Sequence, residues 1–462
     1  MQKFKFFALF IVFTLCALSL ELITGCGQVT PETTTTTTTS TTTTTLLTVA
    51  TPSFTLASGS YEVNVLTVTI ECGTSGAAIY YTTDGSGPSA SSSIYTGSFT
   101  IEASKTIEAI AAKSGMNTSA TAEAQYDLYW WQAIGGGASA YVDALVFDSI
   151  GNLYLGGNFT TVGGTSANHA AKWNGSSFTA LGTGMDDNVY TLVCDGSSNL
   201  YAGGALTTAG GTTANFIAKW NGTTWSALGS GSVGTGNYVY TLAVDSSGNN
   251  VYVGGSFTTA GGISANRIAE WDGSSWSTLG SGMNGGVDAL VFDSAGNLYA
   301  GGSFTTAGGI SASRIAKWDG SSWSALGSGL NGLVTSLIAD SSGNIYAGGY
   351  FTTAGGNTVN YIAKWNGTTW STLGTGLSSS VLAVTLDSNG NLYAAGNFTT
   401  AGGNAANYIA KWNGTTWSAL GTGMSGYVSA LNRDSLGNIY AAGNFTAAGG
   451  NAANYIAKWG KK

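Results

Sequence analysis

From Val142 onward the chain writes one unit of about 47 residues over and over, and the repeat ends out of phase with its beginning. The unit is clearest from Val287 to Gly332, VDALVFDSAGNLYAGGSFTTAGGISASRIAKWDGSSWSALGSGLNG, and its best anchor is the Trp closing the I-A-K-W tetrad. That Trp falls at Trp173, Trp220, Trp271, Trp318, Trp365, Trp412 and Trp459, always 47 residues apart except for one step of 51, where small insertions lie around Ser232 to Asn237 and at Asn250. After Trp459 only Gly460, Lys461 and Lys462 remain, so the seventh copy lacks its W-S-A-L-G segment. A stand-in, Trp131-Gln132-Ala133-Ile134-Gly135, precedes the first copy and matches Trp225-Ser226-Ala227-Leu228-Gly229. A solenoid ends in atypical caps, whereas a ring must join its first and last units. The displaced ending therefore predicts closure, which hides otherwise open sheet edges.

A period of this length suits propellers and helical arrays alike, so strand content decides. Each unit holds four short runs rich in β-branched and aromatic residues (VDALVFD, NLYAGGSFT, RIAKW, SWSALG), and no window carries a 3.6-residue apolar period over ten residues. The links D-S-x-G-N, T-A-G-G, D/N-G-x-x and G-S-G-M-N-G are turn chemistry. Four antiparallel strands per unit, seven times over, predict an all-β, seven-bladed propeller spanning residues 128–462.

At I-A-K-W-x4-W, preceded by a Gly pair such as Gly301-Gly302, the repeat resembles the kelch and galactose-oxidase type of propeller, while D-S-x-G-N-L-Y resembles the NHL type. Galactose oxidase implies a copper site with two His, Tyr partners and a Tyr-Cys crosslink. This chain has a single His, His169, and cannot assemble that set. Residues 52–127 alternate apolar strands with turns. The run Gly76-Ala77-Ala78-Ile79-Tyr80-Tyr81-Thr82-Thr83-Asp84-Gly85, with Tyr95-Thr96-Gly97 and Lys105 to Ala111 behind it, resembles the small Ig-like domain at the C-termini of chitobiases and hexosaminidases, a non-catalytic accessory in that family.

Ahead of these domains, Lys3 and Lys5 precede an apolar run from Phe6 to Leu20, too short to span a bilayer comfortably and placed like a signal peptide. Leu22-Ile23-Thr24-Gly25-Cys26 resembles the bacterial lipobox, which implies cleavage before Cys26 and acylation of its thiol and new amine. Several acyl chains make a durable anchor where one would not. Gly27, not Asp, follows the Cys, so nothing marks the lipoprotein for the inner membrane, and an outer-membrane or cell-surface site is expected. Residues 26–51 include an unbroken Thr/Ser run from Thr33 to Thr45 that cannot bury anything and reads as a disordered or glycosylated stalk.

The mature chain would carry 13 basic and 22 acidic residues, with basic residues scattered about one per blade, and nucleic acid needs a clustered positive surface. Only 8% of residues are charged, so Ser, Thr, Asn and Gly must cover the surface. Cys72 and Cys194 fall in different domains, and Cys194 occupies an otherwise apolar column, so no disulfide framework is expected. No cofactor, resident metal or oligomer is expected.

Three features invite functional readings. The Asp of D-S-x-G-N recurs at Asp148, Asp195, Asp245, Asp293, Asp340, Asp387 and Asp434, as turn residues or as a calcium ring, although calcium needs six to eight converging oxygens. Arg433, beside Asn432, interrupts an apolar column, as a partner for a carboxylate near the seam or as a ligand contact in the central channel. The column before I-A-K-W reads His169, Phe216, Arg267, Arg314, Tyr361, Tyr408 and Tyr455. It follows the link between strands two and three, which by strand alternation shares a face with the link into the next blade. Flat aromatics with Arg make good contact residues there, and inter-blade packing is the alternative. The expectation is a non-enzymatic surface lipoprotein whose propeller binds a glycan or protein. The alternatives are a purely structural or envelope-assembly role, or a carbohydrate-active hydrolase or lyase using Asp186-Asp187 with Asp143 or Asp288.

Overall fold

The computed structural model describes residues 45–229 and 237–462. The signal segment, Cys26 and the Thr run through Thr44 lie outside the described residues. The chain divides into the units Met1–Leu47 and Thr48–Lys462, and everything below concerns the second.

The fourth copy shows how one repeat becomes one sheet. Val287–Phe292, Leu298–Gly302, Ile315–Trp318 and Trp323–Ala325 pair antiparallel in that order. The apolar positions point into the gaps between neighbouring blades, so Leu298, Ala300, Phe304 and Ala316 are buried. The second glycine of the pair is required by close approach: a Cβ on Gly302 would stand 2.1 Å from the carbonyl oxygen of Gly286. The inner strands Val142–Phe147, Val189–Cys194, Val239–Val244, Val287–Phe292, Val334–Ala339, Val381–Leu386 and Val428–Arg433 neighbour one another in a closed cycle.

Seven separate blades do not form. Six four-stranded sheets stand on their own. The seventh repeat supplies Val428–Arg433, Ile439–Gly443 and Ile456–Lys461 to an eight-stranded sheet instead. The cause is one strand, Ala122–Ala133, whose twelve residues extend about 40 Å at the usual rise. Its second half pairs with the last strand, Trp131 opposite Trp459, as Trp225 lies opposite Trp220 in the second copy. Its first half pairs with Lys105–Ala112 and, in parallel, with Gly59–Tyr61 of the Ig-like domain. The strand crosses Asp127-Leu128 without a break, burying Tyr126 and Leu128 in one core and Trp131 in the other.

The Ig-like core gathers Val68, Ile70, Ile107, Ala109 and Tyr126, and Val49 also packs into it through a backbone hydrogen bond from its N–H to the carbonyl of Asn117. The chain ending ties the domains together: the Lys462 N–H donates to Leu128, the Lys462 carbonyl accepts from Ser104, and Lys461 Nζ pairs with the Asp127 carboxylate at 2.6 Å.

Candidate binding face and mouth of the ring

All seven residues of the column before I-A-K-W are left-handed: φ is 63° at His169, 76° at Phe216, 65° at Arg267, 68° at Arg314, 71° at Tyr361, 66° at Tyr408 and 65° at Tyr455. Two backbone hydrogen bonds hold each one. The Tyr361 N–H donates to Phe351 at 2.8 Å and its carbonyl accepts from Gly349 at 3.1 Å, and the pattern recurs around the ring. An L-residue in this region costs about 1–2 kcal/mol. All seven side chains are half-buried. Tyr361, Tyr408, Tyr455 and Phe216 rest one side on the blade cores, Arg267 Nη1 donates to the Met283 carbonyl at 3.3 Å, Arg314 Nη1 donates to Ser303, and His169 Nδ1 lies 3.0 Å from the Gly157 carbonyl.

The link into each blade shares a face with this column. Met185 bridges Ala209, Met283 bridges Ala307 and Leu377 bridges Ala401, each joining an inter-blade link to the strand-two-to-three link of the following blade.

On the inner strands, a β-bulge recurs in every copy, at Asp143, Tyr190, Tyr240, Asp288, Thr335, Leu382 and Ser429. Bulges re-aim side chains and cluster near binding sites. The residue two places before the bulged one varies as freely, with Tyr141, Tyr238 and Tyr427 standing where other copies have Asn188, Gly286, Leu333 or Ser380. Two aromatic groups result. Tyr141 lies 6.4 Å from Tyr427 and 6.1 Å from Tyr455 between centroids, and Tyr238 lies 6.1 Å from Tyr190, 6.3 Å from Tyr240 and 6.0 Å from Phe216.

Two carboxylates share the bulge column. Burial pushes Asp143 up to about 6, with the Ser429 hydroxyl opposing, and burial alone pushes Asp288 up to about 6. The Tyr427 hydroxyl is raised by burial and then by the charge of Asp143, which places that carboxylate beside the first aromatic group. The aromatic flank and the bulge were not singled out in the sequence. Their signal was there: these columns change from copy to copy while the core columns hardly do.

The other sequence candidates resolve differently. The Asp columns are turn acceptors: Asp293 Oδ1 accepts from the Ala295 and Asn297 N–H groups at 2.9 Å each, and Oδ2 from Asn297 Nδ2 at 2.7 Å, a pattern repeated at Asp148, Asp195, Asp340, Asp387 and Asp434. Asp186 accepts from the N–H groups of Thr207 and Thr208 at 2.8 Å each and from the Thr207 hydroxyl. Burial opposes its ionisation, but these donors prevail and lower its pKa. Asp187 accepts from the Asn188 N–H at 2.7 Å. Among the described residues no three His, Cys, Asp or Glu side chains gather as a metal site would require. Arg433 has no carboxylate partner, since Lys461–Asp127 is the only ion pair among the described residues; Asn432 beside it spans the seam, its Nδ2 donating to the Leu145 carbonyl at 2.9 Å. Cys72 and Cys194 are free thiols, and burial pushes Cys194 up to about 12, leaving it unreactive at neutral pH.

Comparison with known families agrees with both parts of the architecture. The chitobiase/beta-hexosaminidase C-terminal domain matches residues 56–123, and the Rax2 C-terminal beta propeller domain, not a kelch family, matches residues 232–387. The protein is a β-propeller joined to a chitobiase-type Ig-like domain. No curated protein matches the chain. Among solved structures, the extracellular domain of a hybrid two component system from B. thetaiotaomicron is 12% identical with a TM-score of 0.47; the match covers 76% of this chain but spans only 43% of that one. YCF48 bound to D1 peptide is 13% identical with a TM-score of 0.47, covering 72% of this chain and 95% of that one. The WD40 β-propeller domain of Doa1 is 15% identical with a TM-score of 0.46, covering 72% and 97%.

Proposed function

We propose that this protein is a bacterial surface lipoprotein, anchored through Cys26, whose propeller recognises a glycan or a protein on the face carrying His169, Phe216, Arg267, Arg314, Tyr361, Tyr408 and Tyr455. The ring is read as seven blades, with Ala122–Ala133 completing the last, built on a repeat with the kelch-like glycine pair. It acts as a monomer, without enzymatic activity and without nucleic-acid partners.

One observation carries the reading. A chain with 70 glycines places none of them at seven positions where the backbone is left-handed. Glycine would remove the conformational cost. A half-buried aromatic or Arg side chain at every such position therefore has a use that outweighs the strain, and binding from the exposed side supplies it. A structural role without a ligand is the second reading, favoured by the near-identity of the blade cores.

Glycan-array screening and pull-down from envelope extracts with the purified protein test the proposal. A partner whose capture is lost when this column is changed supports it, and capture indifferent to the column refutes it.

A further inference from the structure

The strand shared by the two domains enlarges a crevice that the sixth copy holds in a smaller form, where Gly374, Gly402, Trp412 and Trp417 line about 210 Å³. Where the six other outer strands are preceded by the turn residues Ser176-Ser177, Thr223-Thr224, Ser274-Ser275, Ser321-Ser322, Thr368-Thr369 and Thr415-Thr416, the closing strand carries Tyr129-Trp130. These rings, with Trp459, wall a crevice of about 390 Å³ whose other side is the Ig-like loop bearing Glu62, Val63 and Asn64. That volume lies within the range of small-ligand sites, roughly 300–1,000 Å³.

Tyr129 stacks on the buried Trp459 at 27° with centroids 6.5 Å apart, which fixes its ring, and the half-buried Tyr129 and Trp130 rings supply the accessible aromatic surface. Glu62 Oε2 is anchored by the Gly421 N–H at 3.2 Å, and the second carboxylate oxygen has no hydrogen bond among the described residues. Lys462 Nζ sits 4.5 Å over the Trp130 ring. The Trp130 Nε1–H is buried with no hydrogen-bond partner among the described residues, a donor left unanswered. A second crevice of about 360 Å³ continues past Glu62, Tyr129 and Trp459 to Lys411 and Ser388.

From this geometry we infer that the junction of the Ig-like domain and the propeller is a second binding site, separate from the face described above, for a linear β-linked oligosaccharide. Flat C–H faces of equatorial pyranoses match electron-rich ring faces. Hydroxyl groups along the edge of such a chain match the Glu62 carboxylate, the Asn64 amide and Lys411. A chain of two or more sugars spans the Tyr129 and Trp130 rings and follows the run of the two crevices.

Cellotetraose titrated into the full chain, read by calorimetry and saturation-transfer NMR, tests this. Saturable binding is expected, weakened at least tenfold by the combined change Glu62→Gln and Asn64→Ala. Both residues are exposed, so the melting temperature should stay at the parental value. Trp130→Phe, which keeps an aromatic platform but removes the Nε1–H, should weaken binding more mildly, and Tyr361→Gly should leave it unchanged. Absence of saturable cellotetraose binding, or binding indifferent to the Glu62 and Asn64 changes, overturns the inference. Binding lost only with Tyr361→Gly overturns it too, by assigning the sugar to the other face.

Discussion

The indole Nε1–H of Trp131 donates to the carbonyl of Leu420 at 3.0 Å, across 289 residues of sequence. Trp225 makes the same bond to Leu181 at 2.8 Å, Trp323 to Leu279 at 2.9 Å and Trp417 to Leu373 at 2.8 Å, each to the blade before it. Trp131 thus occupies the outer-strand Trp position for the seventh repeat, and its side chain is 2% exposed. Trp131→Ala should cost about 3–5 kcal/mol, the usual range for deleting a core aromatic. Chemical denaturation measures this, and a loss below about 1 kcal/mol would mean that the closing strand does not hold the ring.

Asp293 tests the hairpin face. Its carboxylate takes three close bonds from Ala295 and Asn297, and these donors outweigh burial to lower its pKa. Asp293→Ala should lower stability by about 1–3 kcal/mol, since the turn amides lose their acceptor, without altering the intrinsic affinity of any captured partner. Addition of calcium should leave the parental melting temperature in place, because the carboxylate oxygens are already committed to the turn.

Asp288 and Asp143 set a pH dependence. Both titrate at about 6 in the folded chain against 3.8 as the ordinary value, so the charged form is disfavoured by folding. The penalty is absent below about 3.8, grows as pH rises to about 6, and is complete above that. Asp288→Asn should therefore raise stability at pH 7, by about 1–2 kcal/mol after allowance for solvent screening, and flatten the stability profile between pH 4 and 6. Thermal melts across that window check it, and an unchanged or steeper profile would contradict the burial of this carboxylate.

The left-handed column gives a prediction of unusual sign. Tyr361→Gly and Tyr361→Ala remove the same ring, but only Gly relieves the strain at φ 71°. The Gly variant should be the more stable of the two by about 1 kcal/mol, reversing the ordinary order in which Gly is the more damaging choice. Equal stability, or an advantage for Ala, would remove the backbone argument.

These comparisons show which features could be read from letters alone. The period, the four strands and the closing role of Trp131 were legible because apolar alternation and turn chemistry are local, and because a displaced segment can be matched to its copies. The face carrying Tyr361, Tyr408 and Tyr455 was legible for the same reason. Their left-handed backbone was not, because Tyr carries no such preference and the two flanking bonds to Phe351 and Gly349 are made by tertiary approach. The bulge at Asp143 and Asp288 was hidden because the strand pattern continues through it. The strand Ala122–Ala133 was read as the end of one domain and the start of another, since each half matches its own module. Only pairing on both sides reveals a single strand.

The most direct measurement is the affinity of the triple variant Tyr361→Gly, Tyr408→Gly, Tyr455→Gly for the partner that the parental protein captures, taken with its melting temperature. At about 1–3 kcal/mol per contact residue, the account predicts a loss of at least a hundredfold in affinity with the fold retained. Parental affinity together with a lowered melting temperature would make these rings packing residues and contradict the assignment of the binding face.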